Sequence, residues 1–131
     1  MKPILIYDGY CNLCINLIKT LEPQNRINTG EFKMHFVPFQ KAGALIEQYG
    51  LKPEELKSAL HFISESGEVF KAGEAVSKLG EHFPMLKIGS GFFKTELGEK
   101  FYKLIAANRY GVFGCADECY ISEFYQSEAS L

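Results

Sequence analysis

Tryptophan is missing from this sequence, arginine occurs only at Arg26 and Arg109, and no apolar run approaches membrane-spanning length. The last two shortages each remove a class of function. Fourteen basic side chains face sixteen acidic ones, with no basic stretch among them, so the electrostatic footprint of a nucleic-acid binder is absent. A membrane helix needs about 20 predominantly apolar residues, and nothing here supplies them. No internal repeat, low-complexity tract or Gly/Ser-rich linker divides the chain. Residues 1–14 pass from a short apolar run straight into turn residues, leaving no room for a signal-peptide core and cleavage site. The expectation is therefore one domain over residues 1–131, cytoplasmic, without a membrane span or a nucleic-acid partner.

What is present is material for a core. Hydrophobic residues make up 47% of the chain and include eleven Phe and seven Tyr, enough for a domain of 131 residues to fold without a covalent staple. The four cysteines, Cys11, Cys14, Cys115 and Cys119, then need another explanation. In a reducing compartment, paired cysteines point to redox chemistry or to metal more often than to structural disulfides.

The hydrophobic period gives the order of elements. Residues 3–8 are nearly continuous in apolar character, which suits a strand buried on both faces. From Cys11 the period becomes helical, with Cys14, Leu17, Ile18 and Leu21 on one face, and Pro23 is expected to close that helix. Residues 31–37 alternate as a second strand. Ala42, Leu45, Ile46 and Tyr49 mark a helix capped at Gly50, and Pro53 opens a further helical turn. Residues 60–64 and 68–72 form a hairpin about Glu65-Ser66-Gly67. Ala75, Val76, Leu79 and Phe83 mark a third helix ended by Pro84. Leu97, Phe101, Leu104 and Ile105 mark a last one over residues 95–108. The result is an α/β chain of order βαβαββα with a mixed four-stranded sheet, an extra C-terminal helix and a tail, which is the thioredoxin-like layout.

The Cys11-Asn12-Leu13-Cys14 motif falls between the first strand and the first helix. Two cysteines three apart at a helix start can close a small disulfide ring with little distortion. The first also meets the unpaired N–H groups and positive end of the helix, which favour a thiolate. Thiols so placed can have pKa values lowered from about 8.5 into the range of roughly 3.5–7.5. Because Cys14 begins the buried stripe, Cys11 is expected at the surface as nucleophile and Cys14 beneath it as the resolving thiol. Tyr10, Asn12 and Leu13 adjoin the thiols and are the expected substrate contacts. Asp8 either accepts the proton of Cys14 as a general base, or simply shapes the Asp-Gly turn or caps the helix.

Alternatives attach to each cysteine. A zinc ribbon pairs two CxxC knuckles some 15–20 residues apart, whereas Cys115 and Cys119 are spaced CxxxC and lie far downstream. A metal-binding module or an interaction domain with silent cysteines stays as the second reading of the chain. Cys115 and Cys119 are read as packing residues, with a second redox pair, or thiols that receive a disulfide from Cys11 and Cys14, as the alternatives. His35, His61 and His82 stand at no ligand spacing and are read as structural, so no metal and no cofactor beyond the redox-active disulfide is expected.

The blocks Tyr7-Asp8-Gly9-Tyr10-Cys11-Asn12-Leu13-Cys14, Phe36-Val37-Pro38-Phe39-Gln40, Ala72-Gly73-Glu74-Ala75-Val76 and Ala107–Gly114 with Cys119 resemble, in order, the DCC family of thiol–disulfide oxidoreductases. That resemblance implies a thioredoxin-like fold with Asp8, Cys11 and Cys14 as signature residues. It implies a disulfide-containing protein or a small-molecule thiol as substrate, served by an electron donor the sequence does not identify. It also implies a shared C-terminal feature holding Arg109, Tyr110 and Phe113, with Arg109 able to meet a thiolate or a substrate carboxylate. One departure concerns docking. Thioredoxins proper carry a cis-proline before the third strand, and Ser58-Ala59-Leu60 stands there instead.

Overall fold

Continuity of apolar residues puts the first strand at the centre of the sheet. In the computed structural model, which describes residues 2–84, 86 and 95–125 but not the side chains of residues 108–110, 112 and 113, β1 (Ile4–Tyr7) is buried along its whole length. It runs parallel to β4 (His35–Pro38), with Ile4 opposite His35 and Tyr7 opposite Pro38. On its other side it pairs antiparallel with β5 (His61–Ile63), which continues into β6 (Val69–Lys71). The sheet order is β4-β1-β5-β6, mixed and four-stranded, in a thioredoxin-like fold. A short hairpin of β2 (Arg26–Asn28) and β3 (Glu31–Phe32) lies apart from it.

Successive side chains of a strand point to opposite faces, and β1 uses both. Leu5 and Tyr7 join a core with Cys14, Ile18 and Leu21 of α1 (Asn12–Asn25) and Ala75 and Leu79 of α4 (Ala72–His82). Ile4 and Ile6 join a second core with Leu45 of α2 (Gly43–Tyr49) and Leu56 of α3 (Pro53–Ser58). Phe36, Phe62 and Phe83 are fully enclosed on the first face. Burying each contributes about 1.5–3 kcal/mol, so that face dominates the stability.

Three expectations need correction. Pro23 does not end α1, which runs on to Asn25. The helix gives up one backbone bond there, but the buried Asn25 amide anchors its end by donating to Met34 O and accepting from Met34 N. The strand read over residues 31–37 is broken at Lys33–Met34 into β3 and β4, because that anchor holds the chain where the break falls. The last helix, α5 (Glu96–Phe113), runs beyond Asn108, and its apolar stripe Leu97, Phe101 and Leu104 faces solvent. It packs on α1 and α4 with the neighbouring stripe, where Gly98 is buried and Tyr102 and Ile105 half-buried. Residues 87–94, including Phe92 and Phe93, lie outside the described residues.

Candidate redox site

The turn between β1 and α1 builds the site. Asp8 is buried, and its Oδ1 accepts from Tyr10 N–H at 3.0 Å and from the Gln40 amide at 2.9 Å. Gln40 Oε1 in turn accepts from Gly9 N–H at 3.0 Å. The carboxylate and the amide thus lock the Asp8-Gly9 turn from both ends, and these two hydrogen bonds are of the kind that shapes a turn. Gly9 has no room for a side chain: a Cβ there would stand 2.4 Å from Cys119 Sγ and 3.2 Å from Pro38 Cβ.

Cys11 is the N-cap of α1, with extended backbone angles of −85° and 117°, and its carbonyl takes the first helical bond from Ile15 at 2.8 Å. Asn12 and Leu13 follow as the first two helical residues, and Cys14 is the third. An N-cap side chain naturally lies over the third residue of the helix, as in a capping box, so the two sulfurs share one helix end. Cys14 is 6% exposed, as expected for the start of the buried stripe. Tyr10 is exposed, and Asn12 and Leu13 are half-buried.

Cys11 is not at the surface. Its exposure is 0%, and the reason lies a hundred residues away. After α5 the chain turns at Gly114, whose φ of 80° suits glycine and would strain a residue bearing Cβ. The tail then crosses the redox loop as a short antiparallel strand. Asn12 N–H donates to Gly114 O at 3.3 Å and Ala116 N–H to Tyr10 O at 2.8 Å, which sets Cys115 directly opposite Cys11. Tyr120 N–H donates to Gly9 O at 2.8 Å. Local sequence could not show this cover, because it is made by residues distant in the chain.

The tail is riveted down. The buried Tyr7 hydroxyl donates to Tyr120 O at 2.7 Å and accepts from Ser122 N–H at 3.2 Å. Burial is the main cause that pushes the Tyr7 phenol well above its ordinary pKa. Glu22 on α1 accepts from the hydroxyls of Tyr120 and Ser122. Phe124 then inserts into the first core, its ring 5.8 Å from Phe36 and 5.4 Å from Phe32. Between α1 and the tail runs an open groove of about 540 Å³, lined by Asn12, Asn16, Lys19, Asp117 and Tyr120 among others.

Cys115 and Cys119 do not pack in the core. Cys115 is exposed and Cys119 half-buried, its thiol 3.8 Å from Gln40 Oε1. Burial and the neighbouring Asp8 carboxylate raise the Cys119 pKa against the opposing pull of Lys41. Gln40 and Glu22 are not picked out as site residues in the sequence reading, and Tyr7 reads there only as a groove-lining or core aromatic. Gln40 stood in plain view within the Pro38-Phe39-Gln40 block, but the contacts of Tyr7 and Glu22 depend on the tail and had no local signal. Arg109 belongs to α5, and its side chain is outside the described residues. His35 and His61 are buried in strands. Among the described residues, no group of three or more His, Cys, Asp or Glu side chains stands close enough to hold a metal ion.

Where thioredoxins present a cis-proline, Ala59 is extended and Leu60 N–H donates to the Tyr102 hydroxyl of α5 at 2.8 Å, with no cis peptide among the described residues. No described helix is long and apolar enough to cross a membrane. The sequence model of the DCC1-like thiol-disulfide oxidoreductases matches residues 5–115, from β1 through the redox loop to the tail. The chain is also 27% identical to a chloroplastic DCC family protein of Arabidopsis thaliana over 122 residues, 90% of this chain and 69% of the relative. No solved structure matches it.

Proposed function

As this chain belongs to the DCC1-like thiol-disulfide oxidoreductase family, we propose that it exchanges a dithiol for a disulfide at Cys11 and Cys14. The observation that carries the proposal is their position at the N-cap and third residue of a 14-residue helix that follows the central strand. A thiolate at Cys11 is favoured by the first-turn N–H groups and the positive end of the helix. Attack by Cys11 on a substrate disulfide forms a mixed disulfide, and Cys14 displaces the substrate by attacking Cys11 Sγ. The second substrate sulfur leaves as a thiol, and the protein is left oxidised by two electrons.

Asp8 holds the loop that presents Cys11, and its charge is proposed to assist the proton loss of Cys14. Asp8→Asn separates these roles, since the amide oxygen can keep the bonds from Tyr10 N–H and the Gln40 amide while the charge is removed. A proton role predicts a shifted pH–rate profile, whereas a purely structural role leaves that profile in place. Tyr10, Asn12 and Leu13 are proposed substrate contacts, with the groove between α1 and the tail as the approach and Arg109 as a further anchor. The reaction is proposed for a reducing compartment such as the cytoplasm, where a dithiol is the resting form.

Equilibration in graded glutathione buffers, with mass mapping of the Cys11–Cys14 peptide, tests the proposal. A reversible two-electron transition within about −200 to −300 mV supports an oxidoreductase. Failure to form that disulfide under oxidising conditions refutes it. The complete burial of Cys11 favours one second reading, an interaction module of the same fold whose cysteines do not turn over. That module would bind its partner with undiminished affinity after Cys11→Ser.

A further inference from the structure

Cys11 lies between two thiols, one from its own helix and one from the tail. We propose that Cys115 is the entry thiol of a three-cysteine relay, receiving the substrate disulfide at the surface and passing it to the covered Cys11. This rests on the Cys11–Cys14 reading above and adds a step before it.

The register carries the argument. The bonds Asn12 N–H to Gly114 O and Ala116 N–H to Tyr10 O flank the Cys11–Cys115 pair, whose own backbone groups do not bond each other. This is the close, non-hydrogen-bonded kind of antiparallel pair, with Cα atoms about 4.5 Å apart and side chains on the same side. A disulfide needs Cα atoms about 4.4–6.8 Å apart, so a Cys11–Cys115 bond can form without moving the tail. Cys115 is exposed while Cys11 is at 0%, so an incoming disulfide meets Cys115 first. The relay also answers the burial of Cys11, because the cover itself carries the reactive group.

The exchange balances at each step. Cys115 thiolate attacks a substrate disulfide, one substrate sulfur leaves, and a Cys115–substrate disulfide forms. Cys11 thiolate attacks Cys115 Sγ, the second substrate sulfur leaves, and the Cys11–Cys115 bond forms. Cys14 thiolate attacks Cys11 Sγ, and Cys115 departs as a thiolate, ready for another cycle. The net change is one substrate disulfide reduced to two thiols and one Cys11–Cys14 disulfide formed. The protons lost by Cys11 and Cys14 end on the two substrate thiols.

Oxidised glutathione is the probe. In Cys14→Ser, with Cys14→Ala beside it because the position is buried, oxidation should accumulate an intramolecular Cys11–Cys115 disulfide, mapped by proteolysis without reduction. A glutathione adduct persisting on either cysteine with no Cys11–Cys115 bond overturns the relay. In Cys115→Ser, formation of the Cys11–Cys14 disulfide should slow at least tenfold while its equilibrium position in glutathione buffer stays put. A rate within twofold of the unaltered chain overturns the relay and leaves the Cys11–Cys14 reading intact. If the unaltered chain forms no Cys11–Cys14 disulfide, that underlying reading has failed and the relay falls with it.

Discussion

Replacing Tyr7 with Phe should uncover Cys11 without touching a cysteine. The Tyr7 hydroxyl is fully enclosed and makes two bonds to the tail, donating to Tyr120 O at 2.7 Å and accepting from Ser122 N–H at 3.2 Å. Its removal strands one carbonyl and one amide in a poorly hydrated place. Each such loss costs about 1 kcal/mol or somewhat more, so the tail should be held about 2 kcal/mol more weakly. The Phe124 anchor and the Glu22 bonds remain, so the sheet should stay folded and only the tail should open more often. At about 1.4 kcal/mol per tenfold, 2 kcal/mol raises the open population about 30-fold. Alkylation of Cys11, followed by peptide mass so that the exposed Cys115 is scored apart, should accelerate by a similar factor. Amide exchange at Asn12, Ala116 and Tyr120, whose N–H groups join tail to loop, should accelerate with it. If Cys11 alkylation rises less than twofold while those amides exchange faster, the tail is not what covers the thiol and the reasoning is wrong.

Gly9→Ala should destabilise the fold by about 1–3 kcal/mol, since its Cβ meets Cys119 Sγ at 2.4 Å and the rigid Pro38 ring at 3.2 Å. A urea midpoint equal to that of the unaltered chain would contradict the crowding seen there. Gln40→Leu removes the bonds to Asp8 Oδ1 and Gly9 N–H together and should cost about 2 kcal/mol, visible as a lower melting temperature. Burial lowers the pKa of His35 and of His61 below their ordinary 6.5. The unfolded chain therefore binds protons more readily than the folded one, and stability is full above about pH 6.5 and falls as pH drops below it. The slope for one such group approaches about 1.4 kcal/mol per pH unit, and urea midpoints at pH 7.5, 6.0 and 5.0 measure it. His61→Phe should flatten that decline, and an unchanged slope would remove His61 as its source.

Much of the molecule was legible along the chain because its signals are local. The nearly continuous apolar run of residues 3–8 implied a strand covered on both faces, and β1 lies between two cores. Gly50 caps α2 with a φ of 63°, as its place after Tyr49 implied, and the turn about Ser66-Gly67 joins β5 to β6. The cysteine pair was readable for the same reason: a strand, an Asp-Gly turn and a helical stripe starting at Cys14 define a helix N-terminus without reference to anything distant. The stripe Leu97, Phe101 and Leu104 shows where this kind of reading stops. Period marks a helix, but it does not say which of two adjacent stripes meets the sheet.

What the tertiary structure alone decided is the exposure of Cys11 and the company it keeps. Local spacing put Cys11 before the first full turn and hence in water. The tail instead lays Cys115 against it, and Tyr7, Glu22 and Phe124 hold the tail in place through contacts far apart in the chain. Such contacts depend on a closed loop whose ends meet only after the sheet and helices have assembled. No period or motif encodes that meeting. The identity of the redox pair was therefore a matter of sequence, and its accessibility a matter of fold.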